Sequence, residues 1–261
     1  MALTSILFDL DDTLLWDRKS IQTAFRNTCN TAAEHFSLDA ERLEDLVRKA
    51  AKKLYASYDT YPFVKEIGIN PFEALWGTFD DEGENFQKLK SLAPHYQSAA
   101  WTQGLLAAGV DDPDFAAQLA RQFAEERKKH PCVYEETFSV LEALKDNYKL
   151  LLVTNGSPSL QWTKLRLTPE LEPYFEGVII SGNIGYGKPN RRMFAAALEL
   201  AGAEPEEAVM VGDNLLTDIK GANEAGIRSI WINHDRVKAE EVSPTYEAGR
   251  LLDVVDLVRQ L

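Results

Sequence analysis

Two carboxylates stand two residues apart where an apolar run ends. The stretch is Ile6-Leu7-Phe8-Asp9-Leu10-Asp11-Asp12-Thr13-Leu14. In a strand, residues i and i+2 point to the same side. The spacing therefore predicts that Asp9 and Asp11 project together from a strand end, with Thr13 following as the chain leaves it. Two acids on one side repel unless a cation, a shared proton or the metal of an anionic ligand lies between them. Taken alone, the pair also fits an acidic turn after an edge strand.

The elements that would position such a pair follow from the rest of the chain. Its 261 residues, 45% hydrophobic and 26% charged, suit one large globular domain or two modest ones with a core that needs no staples. Cys29 and Cys132 lie far apart, show no metal spacing and read as reduced, packed thiols. Nothing resembles a signal peptide, and no apolar run approaches the roughly 20 residues of a membrane helix. A soluble, cytoplasmic protein without a membrane partner is expected. A net charge of -13 argues against binding a nucleic-acid polymer. It also repels anionic substrates at long range, so a phosphate site here needs local cations, backbone amides or a metal.

Ser5 to Leu10 reads as a first strand, apolar on both faces as a strand covered by helices is. From about Asp17 to Val133 helical stripes replace strands. Leu43, Leu46, Val47, Ala50, Ala51 and Leu54 follow the i, i+3, i+4, i+7 pattern. Asp111-Asp112-Pro113-Asp114 reads as a helix start before Phe115, Leu119 and Phe123. A helix from near Asn85 carries Phe86, Leu89, Leu92, Tyr96 and Ala99 or Ala100, with Pro94 counting against its continuity. Asp80-Asp81-Glu82-Gly83-Glu84 lacks the ligand spacing of a calcium loop and reads as a solvated turn. From Glu135 strands alternate with helices: strand 149–155, helix 157–167, strand 177–181, helix 191–201, strand 208–212, helix 217–225, strand 228–233 and a last helix carrying Leu251 to Leu261. That alternation implies a parallel α/β sheet. The helical block is then an insertion, with hinges near Leu15 to Asp17 and Pro131 to Glu135.

Ligands of open α/β sheets bind beyond the carboxyl ends of the strands. Each apolar strand turns polar at that edge: Asp9-Leu10-Asp11, Thr154-Asn155-Gly156, Ser181-Gly182-Asn183 and Gly212-Asp213-Asn214. A loop adds Gly187-Lys188-Pro189, and Asp218 follows Asp213. Singly, each has a plain reading: a turn signal, a surface lysine, a helix cap. Together, several carboxylates, one lysine, one hydroxyl and amide-rich turns suit a hard divalent cation and a phosphoryl group.

These motifs, in this order, resemble the haloacid dehalogenase superfamily of phosphohydrolases. The matching stretches are Asp9-Leu10-Asp11-Asp12-Thr13, Thr154-Asn155-Gly156, Gly187-Lys188-Pro189 with Phe194 following, and Gly212-Asp213-Asn214-Leu215-Leu216-Thr217-Asp218. The resemblance implies an α/β fold in which a Rossmann-like parallel sheet core, residues 1–16 and 134–261, carries an inserted α-helical cap domain, residues 17–133. The insert is similar to the family's type-1 cap, though longer than its common form. Asp9 would be the nucleophile, forming an aspartyl-phosphate. Asp11 would protonate the leaving alkoxide and then deprotonate the hydrolytic water. Mg2+ would sit among Asp9, the backbone carbonyl of Asp11 and Asp213, with Asp218 supporting the metal shell or orienting Lys188. Thr154, Asn155, Gly156 and Lys188 would hold the phosphoryl oxygens. An acid at Asp11 disfavours dehalogenation, since a halide leaves without a proton.

The expected activity is Mg2+-dependent hydrolysis of a small phosphorylated metabolite. Phosphoserine, phosphoglycolate, sugar phosphates and nucleoside monophosphates all stay open as substrates. A sugar-phosphate mutase of the same superfamily, using Asp9 as a phosphoryl shuttle, is one rival. A binding or regulatory protein with a residual site is another.

Overall fold

The computed structural model describes residues 2–261. Short apolar runs become the strands of one six-stranded sheet: β1 (Ser5–Phe8), β2 (Lys149–Thr154), β3 (Gly177–Ile180), β4 (Ala208–Gly212), β5 (Arg228–Ile232) and β6 (Tyr246–Ala248). Their order is β3-β2-β1-β4-β5-β6 and every pairing is parallel. This is the α/β architecture expected from the alternation. The chain leaves β1 for β2 on one side and returns to β4 on the other. The carboxyl end of β1 is thus a topological switch point, where ligands of such sheets bind.

The helices are α1 (Asp17–Phe36), α2 (Ala40–Ser57), α3 (Tyr61–Ile67), α4 (Pro71–Ala74), α5 (Glu84–Ala107) and α6 (Pro113–Lys129), then α7 (Thr137–Leu144), α8 (Pro158–Leu167), α9 (Ser181–Ile184), α10 (Arg191–Ala201), α11 (Lys220–Glu224) and α12 (Asp253–Val258). Contacts divide the chain into two units. One comprises the residues up to Asp17, Cys132–Gly156 and Lys164–Leu261; the other comprises Arg18–Pro131 and Ser157–Thr163.

In the sheet unit, Leu7, Leu151, Val153 and Met210 meet Met193, Phe194 and Ala197 of α10 in one buried cluster. All four residues of β1 are buried, which fixes the strand whose end carries Asp9. Truncating a fully buried ring such as Phe194 costs about 3–5 kcal/mol. The segments flanking the insertion are tied together within this unit. Leu15 bridges Val133, and the Trp16 amide donates to the Cys132 carbonyl at 2.8 Å. The Trp16 ring stacks on Tyr134 at 5.2 Å, and Tyr134 on His234 at 4.8 Å.

In the helical unit, α2 buries Leu43, Val47, Ala51 and Tyr55 along an i, i+4 stripe. At Gly104 of α5 a Cβ would fall 2.3 Å from the Val47 side chain, so only glycine lets these two helices approach as they do. Phe25, Trp101 and Phe123 cluster with centroids 4.5–6.0 Å apart. Asp112 caps α6 by accepting from the Phe115 amide at 2.9 Å. No helix of the described residues is long and apolar enough to cross a membrane, and both cysteines are free thiols.

Several local expectations are corrected. Pro94 does not interrupt α5, which runs unbroken through it. Buried Phe86 and Leu89 before it and Tyr96 and Trp101 after it anchor both halves and offset the lost backbone bond. The acidic run at 80–84 is not merely a solvated turn. The Asp81 carboxylate accepts from Ser157 Oγ at 2.5 Å, from the Ser159 amide at 2.6 Å and from Ser159 Oγ at 2.8 Å. A single helix expected over 217–225 is instead a π-turn at Leu215–Ile219 followed by α11. The turn widens because the Asp218 side chain reaches back to the Asn214 amide at 3.1 Å.

Candidate active site

Asp9 follows β1 directly, its amide donating to the Val211 carbonyl of β4 at 2.9 Å. Its carboxylate is nearly buried and accepts from Lys188 Nζ at 2.6 Å. That ammonium also reaches Asp218 Oδ1 at 2.7 Å and the Val153 carbonyl at 2.6 Å. Its three donors thus join the end of β1, the β2 backbone and the turn that follows β4. The Lys188 backbone is held as well. Asn155 accepts from the Lys188 amide at 2.7 Å, and its side-chain amide donates to the Lys188 carbonyl at 3.1 Å. The Asn155 side chain therefore positions the lysine loop.

Asp218 is fully buried. It fits because β4 ends in Gly212, where a Cβ would meet Asp218 Oδ2 at 2.3 Å. Asp213 is partly exposed, its loop pinned by Trp231 Nε1 donating to the Asp213 carbonyl at 2.8 Å. Carboxylate oxygens of Asp9, Asp213 and Asp218 lie within 4.8 Å of one another. Such hard oxygen donors suit a hard divalent cation. Asp218 already spends one oxygen on Lys188 and the other on Asn214, so Asp9 and Asp213 are the carboxylates placed to ligate directly.

Burial pushes the Asp9 carboxyl well above its usual range. Lys188 opposes this, and Asp218 and Asp213 reinforce it. For Lys188 burial alone would disfavour the ammonium, but Asp218 and Asp9 outweigh it and hold its pKa above the ordinary value. The site is a strongly bound cation among carboxylates that gain from further positive charge.

The other predicted residues are placed as follows. Asp11 lies outside the acid cluster, and its Oδ2 accepts from Lys164 Nζ at 2.7 Å. Thr154 ends β2 and is buried, its hydroxyl 3.4 Å from the Asn155 carbonyl. The Gly156 amide is committed to Ser181 Oγ at 2.8 Å, so this residue shapes the loop. Lys164 was not legible as a site residue, although one signal pointed to it. It occupies the stripe Leu160, Lys164, Thr168, each four residues from the next and all buried, where a charge is out of keeping with a core-facing row.

Residues 3–226 match the family model of the haloacid dehalogenase-like hydrolases. A phosphoserine phosphatase from Thermus thermophilus is 35% identical over 250 residues, covering 95% of this chain and 96% of the relative. A glyceraldehyde 3-phosphate phosphatase from Pyrococcus furiosus is 39% identical over 237 residues, covering 88% of this chain and 81% of the relative. The crystal structure of the HAD-hydrolase YfnB from Bacillus subtilis, bound to magnesium, superposes with a TM-score of 0.68 at 22% identity over 99% of both chains. With the motifs from Asp9 to Asp218 inside the matched region, the chain belongs to the haloacid dehalogenase-like hydrolases.

Proposed function

We propose that this hydrolase is a phosphatase of small phosphomonoesters that works through an aspartyl-phosphate on Asp9. The observation that carries the reading is the buried Lys188 ammonium bound at once to Asp9 at 2.6 Å and to Asp218 at 2.7 Å. It fixes the attacking carboxylate in one orientation. It also stands where negative charge gathers on a transferring phosphoryl group. Asp11, two residues on, gives its proton to the leaving alkoxide and later takes one from the attacking water, a contribution of about 10²- to 10⁴-fold. In this reading residues 1–16 and 134–261 are the catalytic core and residues 17–133 the cap domain.

The oxygen cluster fits Mg2+ by its chemistry. Asp9, Asp213 and the Asp11 main-chain carbonyl would hold the ion, whose charge offsets the repulsion between an anionic nucleophile and an anionic phosphate. Asp218 keeps Lys188 aimed at Asp9. Asn155 keeps the lysine loop closed on the same edge.

The relatives named for phosphoserine and glyceraldehyde 3-phosphate support a primary phosphate ester on a three-carbon skeleton as substrate. The test is phosphate release from these two compounds within a panel of phosphoglycolate, sugar phosphates and nucleoside monophosphates, with Mg2+ and with EDTA. Release that requires Mg2+ and favours a three-carbon ester is expected. Absence of release from the whole panel, or movement of phosphate between sugar hydroxyls without release, contradicts the proposal.

A further inference from the structure

We propose that Lys164 is a positioning residue for Asp11, fixing which oxygen of that carboxyl carries the transferable proton. The inference rests on the phosphatase reading and deepens it. Lys164 Nζ lies 2.7 Å from Asp11 Oδ2, and the lysine is only 4% exposed. A buried ammonium carries a heavy desolvation penalty unless a partner offsets it. On this helix stripe a leucine or methionine would pack without that penalty. The cation is therefore badly explained by packing and well explained by its partner.

The chemistry of the pair gives the reason. An ammonium donates hydrogen bonds and accepts none, so the oxygen it holds stays an acceptor. The proton of a protonated Asp11 then rides on Oδ1, and the Lys164 contact fixes the side-chain torsions that aim it. In the first step an Asp9 oxygen bonds to phosphorus, the ester P–O bond breaks, and the departing alkoxide takes the Asp11 proton. In the second, water gives a proton to Asp11 while its oxygen bonds to phosphorus and the Asp9 O–P bond breaks. Free phosphate leaves and both carboxyls return to their starting states. Lys164 gains and loses no atom in either step. Its part is geometric, and it is felt wherever the leaving group needs a proton.

That dependence supplies the test. An alkoxide cannot leave unprotonated, whereas p-nitrophenolate can. Lys164→Met and Lys164→Arg are compared with the wild type on p-nitrophenyl phosphate and on the better substrate of phosphoserine and glyceraldehyde 3-phosphate, with Mg2+ present. The quantity read is kcat/KM, which covers only the steps up to departure of the leaving group. Lys164→Met is expected to lower it by about 10²-fold for the alkyl ester and by less than about 3-fold for p-nitrophenyl phosphate. Lys164→Arg restores most of the alkyl activity. In an Asp11→Asn background Lys164→Met adds no further loss, because the two act through one proton. A parallel fall with both substrates, an unchanged alkyl rate, or an additive loss with Asp11→Asn overturns the proposal while leaving the phosphatase reading intact. A wild type that releases phosphate from none of these esters overturns both. Circular dichroism is read on every variant first, and if Lys164→Met does not fold as the wild type does, Lys164→Gln takes its place and is judged by the same outcomes.

Discussion

Lys188 donates to Asp9 at 2.6 Å, so the proposed nucleophile is held by a cation from a loop 179 residues away in sequence. The contact joins the first strand to the third sheet-edge motif. On the proposed mechanism the lysine serves both stability and chemistry.

Replacing Lys188 with Met should therefore damage both. Asp9 and Asp218 would be left as buried carboxylates without their shared partner, a loss of about 3–5 kcal/mol. Phosphate release should fall by about 10²- to 10³-fold, as when one stabilising donor is removed from a developing oxyanion. Urea unfolding and steady-state kinetics on one preparation read both effects. A stable variant with wild-type turnover would contradict the assigned role.

Asp9→Asn should lose turnover yet gain stability in metal-free buffer at neutral pH. The folded-state pKa of Asp9 is raised above the unfolded value near 3.8, chiefly by burial. The unfolded chain thus ionises first, and the wild type loses stability as pH rises from about 4 toward the folded pKa. The asparagine variant has no such slope from this position, and its Lys188 keeps Asp218 and the Val153 carbonyl. Unfolding midpoints in EDTA should nearly coincide at pH 4 and diverge in favour of Asp9→Asn by pH 7. A wild type that is the more stable at pH 7 would contradict this electrostatic account.

Gly212→Ala tests the close approach behind the site. The added methyl would meet Asp218 Oδ2 at 2.3 Å, forcing Asp218 off Lys188. A loss of about 1–3 kcal/mol is expected from the overpacking, with a fall in kcat that exceeds any rise in KM. Unchanged kcat would show that the Asp218 position does not matter to turnover.

How much of this was legible in the sequence depends on range. Asp9 and Asp213 stood out because apolar strands end abruptly beside them, and strand ends of a parallel sheet share one edge; Lys188, in a loop, stood out through Gly187-Lys188-Pro189 and its place in the order of the motifs. The cap of α6 was legible because Asp112-Pro113 is a local signal. Lys164 was not, because its partner Asp11 is 153 residues distant and a lone helical lysine ordinarily faces water. Asp81 was missed for the same reason: its partners are Ser157 and Ser159, and nothing local marks an acid as a bonded one. Pro94 misled because a local rule was overridden by tertiary packing on both sides of it. Strand β6 has three residues, too few for its alternation to register.

The most direct test of the central claim is to trap the covalent intermediate. The enzyme is mixed with p-nitrophenyl phosphate and Mg2+, quenched in acid within the first turnover, digested and weighed by mass spectrometry. A phosphoryl group on the peptide bearing Asp9, appearing with a burst of p-nitrophenol and absent from Asp9→Asn, is the predicted result. Turnover without any adduct on that peptide, together with phosphate release that survives Asp9→Asn, would contradict the account.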